Sequence, residues 1–126
     1  MFQNQNKSTK DKGKEAEELA TKFLKEKNYT ILKRNFHFGN IGEIDIIAKD
    51  KDTVVFVEVK ARSNPKFYDP LEAITKSKQK NLIAVAKGYI MINDLINTDF
   101  RFDIISIDYS VSPEIIEHLE NAIVMM

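Results

Sequence analysis

Three residues of this chain have types and spacing that could do chemistry together: Asp45, Glu58 and Lys60. They fall in two β-rich runs, IGEIDIIA (41–48) and VVFVEVKA (54–61), separated by polar KDKDT. Two such runs with a short polar joint predict a β-hairpin. In the second run Val54, Phe56, Glu58 and Lys60 share one face, and Val55, Val57, Val59 and Ala61 the other. Apolar residues on both faces mark a strand covered on both sides. Glu58 and Lys60 then stand at the margin of a buried layer, where an unpaired charge is costly. In the first run Ile41, Glu43, Asp45 and Ile47 are expected on one face. A loop from Asp50 to Thr53 pairs Lys49 with Val54, and that register sets Asp45 opposite Glu58, with Cβ atoms about 4.5–5.5 Å apart. Two carboxylates that close repel, so one takes up a proton or a cation sits between them. Oxygen donors without cysteine or histidine suit a hard cation, Mg²⁺ or Mn²⁺. An ion-pair ladder of either acid with Lys60, and no metal, accounts for the hairpin equally well.

The elements that must position these residues follow from periodicity. A helix is expected from Lys14 to Lys27, with Ala16, Leu19, Ala20, Phe23 and Leu24 as its apolar stripe. Residues 1–12 read as a disordered tail and 13–126 as a single domain. Tyr29 to Phe38 reads as a strand preceding the hairpin. A second helix is expected from Pro70 to Ile92, with Leu71, Ile74, Leu82, Val85, Ala86 and Tyr89 facing inward. Arg101 to Tyr109 is a further strand. Residues 114–123 fit a short helix or a last strand equally. The expected class is α/β (α+β): a central mixed sheet flanked by helices, in the order α-β-β-β-α-β.

The chain has 126 residues, 43% hydrophobic and 30% charged, which excludes a disordered polymer. It contains no cysteine, which excludes disulfides and zinc-thiolate sites. No apolar run approaches the roughly 20 residues of a membrane helix. The polar N-terminal stretch is not expected to act as a secretory signal, and a cytoplasmic location is the default expectation. The formal net charge is zero, but the charges are segregated. Lys60, Arg62, Lys66, Lys76, Lys78, Lys80 and Lys87 face only Asp69 and Glu72 within 60–90, whereas beyond residue 90 Arg101 stands against seven acids. A balanced total can conceal a basic face, although such charges are also ordinary on a solvated helix.

Asp45, then twelve residues, then Glu58-Val59-Lys60 resembles the D…(D/E)-x-K signature of restriction-endonuclease-like nucleases. A wider match runs from near residue 13 onward. It is carried by GKEAEELATKFLKEKNYTILKRN, GEIDIIA, FVEVKAR, the Lys-rich start of the second helix and RFD at 101–103. In these blocks the chain resembles the YraN family of small bacterial proteins. That resemblance implies the nuclease-like core of archaeal Holliday-junction resolvases, relatives that are often homodimers. It implies that Asp45 and Glu58 are metal ligands, that Lys60 orients the attacking water, and that Glu17 adds an acid from the first helix. The family often has Gly before that acid, where this chain has Ala16. Helical geometry leaves Glu17 and Glu15 equally placed, a quarter turn either side of the apolar stripe.

Lys78 interrupts the stripe of the second helix between Ile74 and Leu82. It either points to the acids and a substrate phosphate or snorkels to water. Gln79 and Arg62 are further candidates for nucleic-acid contact, each with an ordinary surface role as alternative. Glu43 reads as an acid adjoining the site or a cap on the strand edge, Asp103 as a position matched in the resembling family or equally as a partner of Arg101, and His118 has no assigned role. The expected function is Mg²⁺-dependent hydrolysis of phosphodiester bonds in nucleic acid, DNA rather than RNA. A module of the same fold that binds nucleic acid without cleaving it is the main alternative, and an interaction subunit that lends a sheet edge to a partner is another.

Overall fold

The computed structural model describes residues 9–63 and 74–124. Its elements are α1 (Thr9–Glu26), β1 (Thr30–Phe38), β2 (Gly42–Asp50), β3 (Thr53–Arg62), α2 (Lys76–Ile92), β4 (Asp99–Asp108) and β5 (Ile115–Ile123). This is the expected α/β order, with residues 114–123 resolved in favour of a strand. Helix α1 begins at Thr9, so residues 9–12, expected in the tail, are helical. Helix α2 begins at Lys76 rather than Pro70. Thr75 caps it, its hydroxyl accepting the Lys78 N–H at 3.1 Å. Residues 1–8 of the expected tail, and Pro70 and Leu71 of the expected helix, lie outside the described residues.

The five strands form one sheet in the order β1-β2-β3-β4-β5, antiparallel except for β3 and β4, which run parallel. Helix α2 is the crossover between them, as a parallel pair requires. The two helices cover opposite faces. Ala16, Ala20 and Leu24 of α1 pack on Ile46, Ala48, Val55, Val57, Ile105 and Ile107. Leu82, Val85 and Ala86 of α2 pack on Ile44, Ile47, Val54, Phe56, Phe102 and Ile104. Strands β3 and β4 are therefore apolar on both faces, as the VVFVEV run predicts. Asn28, at φ 69°, ends α1 by the left-handed turn common at helix C-termini and feeds the chain into β1. No helix among the described residues is long and apolar enough to cross a membrane.

One feature of the sheet departs from simple alternation. Ile44 and Ile46, two residues apart, pack on opposite faces. The β1–β2 ladder pairs Arg34 with Ile46 and Phe36 with Ile44, while Asn35 sits at φ 53° between them. The expectation that Glu43, Asp45 and Ile47 share one face is thereby corrected. The facing of β2 changes at Asp45, opposite the left-handed Asn35, while the register itself slips farther along, between Ile31 and Lys33.

Candidate metal and phosphate site

The hairpin register is the expected one, Lys49 opposite Val54, but the turn is tighter, since Asp50 and Thr53 also pair. The β2–β3 ladder runs only to Ile46 and Val57. Beyond it β3 stays paired with β4, from Glu58–Ile104 through Arg62–Asp108. Strand β2 thus parts from β3 one residue before Asp45 and Glu58 would have met as a ladder pair. Asp45 lies in that fork. Its Oδ2 accepts the Val59 backbone N–H at 2.8 Å, a donor the ladder no longer uses.

The carboxyls of Asp45 and Glu58 lie within each other's reach, and a proton shared between them relieves their repulsion. Glu58 is 5% exposed. Burial, and then the charge of Asp45, push it up to about 8, although the Lys78 and Lys60 charges draw it down. Burial also raises Asp45, against the Val59 N–H, the proton shared with Glu58 and the same two lysines. Glu58 is the partner that holds the proton near neutral pH. Alternation along β3 puts Lys60 on the α2 face with Glu58. Lys78 reaches the same acid from α2, its Nζ 3.4 Å from Glu58 Oε2. Asp45, Glu58, Lys60 and Lys78 are thus gathered at one end of the sheet.

Glu17 approaches from α1. Burial raises it first, and then the charges of Asp45 and Glu43, so it shares their field. Glu15 lies on the other side of the helix, within the field of Tyr109. Tertiary packing therefore separates two acids that helical geometry left equivalent. Asn35 was missed by sequence reasoning. With its amide turned to donate, as its two acceptor neighbours require, it bridges Glu43 Oε2 at 2.9 Å and Glu17 Oε1 at 3.0 Å. Asparagine is the non-glycine residue that most readily adopts positive φ, and one in mid-strand could have drawn notice. Glu43 and Glu17 line an open cleft with Gly13, Lys14 and Asn35, and Glu43 also borders a second cleft with Gly42, Lys78 and Asn81.

The remaining candidates are engaged elsewhere. Gln79 donates through Nε2 to the Ile74 carbonyl at 3.1 Å, closing the start of α2. Arg62 Nε donates to Ser106 Oγ at 2.9 Å. Asp103 is fully buried and receives Arg101 Nε at 3.0 Å and the Asn121 N–H at 2.9 Å. It also lies 2.7 Å from His118 Nε2. Lys27 Nζ donates to the other ring nitrogen of His118 at 2.7 Å, so Nε2 carries the hydrogen given to Asp103. The histidine left without a role is thus a link between α1, β4 and β5. Among the described residues, no group of three or more His, Asp or Glu side chains forms a ready cation cage.

Comparison with known proteins places the chain among relatives of similar size. A family model described as "Uncharacterised protein family UPF0102" matches residues 16–107. A UPF0102 protein of Clostridioides difficile (strain 630) is 45% identical over 115 residues, covering 91% of this chain and 98% of that one. One from Chloroherpeton thalassium is 47% identical over 95 residues, covering 75% and 73%. One from Caldicellulosiruptor saccharolyticus is 44% identical over 105 residues, covering 83% and 88%. Among solved structures, Pyrococcus furiosus SfsA in complex with Ca²⁺ is similar at a TM-score of 0.41 and 16% identity, over 93% of this chain and 65% of that one. That likeness is too distant to establish a shared fold.

Proposed function

The chain belongs to the UPF0102 family, the YraN-type proteins its sequence blocks resemble, and from that premise we propose that it is a metal-dependent phosphodiesterase acting on nucleic acid, DNA before RNA, with a restriction-endonuclease-like active centre. The observation that carries this reading is the pairing of buried Glu58 with half-buried Asp45 in the fork between β2 and β3. Two carboxyls in contact, one of them pushed up to about 8, are an unfavourable arrangement for a strand whose task is only to pack. Perturbed acids of this kind concentrate where chemistry is done.

The donor set fits a hard divalent cation. Asp45 and Glu58 would hold Mg²⁺ or Mn²⁺ through carboxylate oxygens, with the Val59 carbonyl as a further oxygen and Glu17 adding negative charge from α1. A cation bound there supplies Lewis acidity for the phosphate and a lower pKa for a bound water. Lys60, on the face of Glu58, orients the attacking water and offsets charge growing on the phosphate in the transition state. Lys78, on the same face and 47% exposed, is the candidate phosphate contact. Gln79 and Arg62 support the reading less, because both are committed to neighbours within the fold.

The test is cleavage of branched, flapped and single-stranded DNA with Mg²⁺ or Mn²⁺, using Lys60→Ala as control. The expected result is metal-dependent cleavage that the variant loses while still binding DNA. Binding without cleavage by the unaltered protein would favour a non-cleaving module. Neither binding nor cleavage at low salt would reject the nucleic-acid reading.

A further inference from the structure

Lys78 stands where a lysine is poorly accommodated by its own helix. It is the third residue after the Thr75 cap, and the first turn of α2 contains no acid. Lys76 and Lys80 lie two residues either side. A helix N-terminus disfavours cations, because its unpaired N–H groups and dipole are positive there. What stabilises the Lys78 ammonium is the one negative charge that Glu58 and Asp45 share, reached through Glu58 Oε2 at 3.4 Å. The two partners are unequally buried: the Glu58 side chain is 6% exposed and that of Lys78 is 47% exposed. Glu58 is held in the fork, because β3 stays paired with β4 there, Glu58 opposite Ile104. The lysine stem is flexible and its head already reaches water.

We infer that Lys78 is an exchangeable counter-ion of the acid pair, which a divalent cation displaces and thereby releases to bind a nucleic-acid phosphate. The inference rests on the metal-site reading above and adds a regulatory link to it. The ammonium and a metal ion compete for Glu58 Oε2. Without metal, Lys78 neutralises part of the acid charge and is withheld from the substrate. With metal, Glu58 is satisfied, and the lysine turns outward with its full charge available. Metal and phosphate then each favour the other, and the coupling is reciprocal. A lysine that merely covered the helix surface would show no such competition.

The test is Mn²⁺ affinity measured by electron paramagnetic resonance on the full chain for the wild type, Lys78→Met, Lys80→Met and Asp45→Asn. The same proteins are then titrated with a fluorescein-labelled single-stranded oligodeoxynucleotide, with and without Ca²⁺. Lys78→Met is expected to bind Mn²⁺ about tenfold more tightly, equivalent to about 1.4 kcal/mol, with Lys80→Met within about twofold of wild type. Ca²⁺ should tighten oligonucleotide binding by the wild type and do so markedly less for Lys78→Met. Lys80→Met separates competition at Glu58 from general loss of positive charge, and a gain in both variants alike would overturn the counter-ion role. Mn²⁺ bound by the wild type, lost in Asp45→Asn and unchanged in Lys78→Met would overturn the counter-ion role alone. No saturable Mn²⁺ binding by the wild type or by Lys78→Met would overturn both this inference and the metal-site reading.

Discussion

Replacing Glu58 by Gln in the metal-free protein should remove a pH dependence that the fold imposes on itself. In the folded chain Glu58 holds its proton to about 8, whereas its ordinary value is 4.5. Between those two values the folded state binds a proton that the unfolded chain has released. Stability therefore falls as pH rises, by about 1.4 kcal/mol per unit for one proton. From pH 5 to pH 7 this group alone should remove roughly 3 kcal/mol, a large share of a small domain's stability. The loss should level off above the folded value near 8. At 5% exposure, solvent screens little of this effect. The raised Asp45 acts in the same direction. A glutamine amide can donate to Asp45 as the protonated acid would, so Glu58→Gln should lose the Glu58 share of this dependence, keep only that of Asp45, and be more stable than wild type at pH 8. Urea denaturation in the presence of a chelator at pH 5, 6, 7 and 8 measures this. Parallel profiles for the two proteins, or a wild type that gains stability towards pH 8, would refute the reasoning.

Three further outcomes follow from the packing. Asp103→Ala should lose about 2–4 kcal/mol, because His118 and the Asn121 N–H would lose their acceptor while Arg101 would keep only Asp50, Glu120 and Tyr29. Burial would raise Asp103, but the bonds from His118, Arg101 and Asn121 outweigh it and hold the acid below its usual range. Its stabilisation should be complete above the unfolded value of about 3.9 and fade as pH falls below it, as an acid denaturation series would show. Gly88→Ala should lower the melting temperature: an added Cβ would lie 2.6 Å from the Phe38 ring, an overpacking cost of about 1–3 kcal/mol that outweighs a helix-propensity gain of roughly 1 kcal/mol. Thr75→Ala should cost about 1 kcal/mol by uncapping α2, with faster hydrogen exchange at the Lys78 amide as the local readout.

Sequence alone was enough for the hairpin, its register and the closeness of Asp45 to Glu58. These depend on local rules: period-two alternation, a short polar turn, and the repulsion of like charges on adjacent strands. The two helix faces were legible for the same reason. Local rules did not decide where β2 leaves β3, which makes the pair a fork rather than one more rung of a ladder. Nor did they show the change of facing at Asp45, opposite the left-handed Asn35 of the neighbouring strand. Glu17 and Glu15 are equivalent on an isolated helix, and only the docking of α1 gives one of them to Asp45 and the other to Tyr109. The segment 115–123 has apolar residues spaced for a helix or a strand. It becomes a strand because β4 offers an open edge of backbone donors and acceptors, which must be satisfied from outside its own segment. His118 then turns inward to Asp103, a contact between residues fifteen apart that periodicity along either strand does not contain.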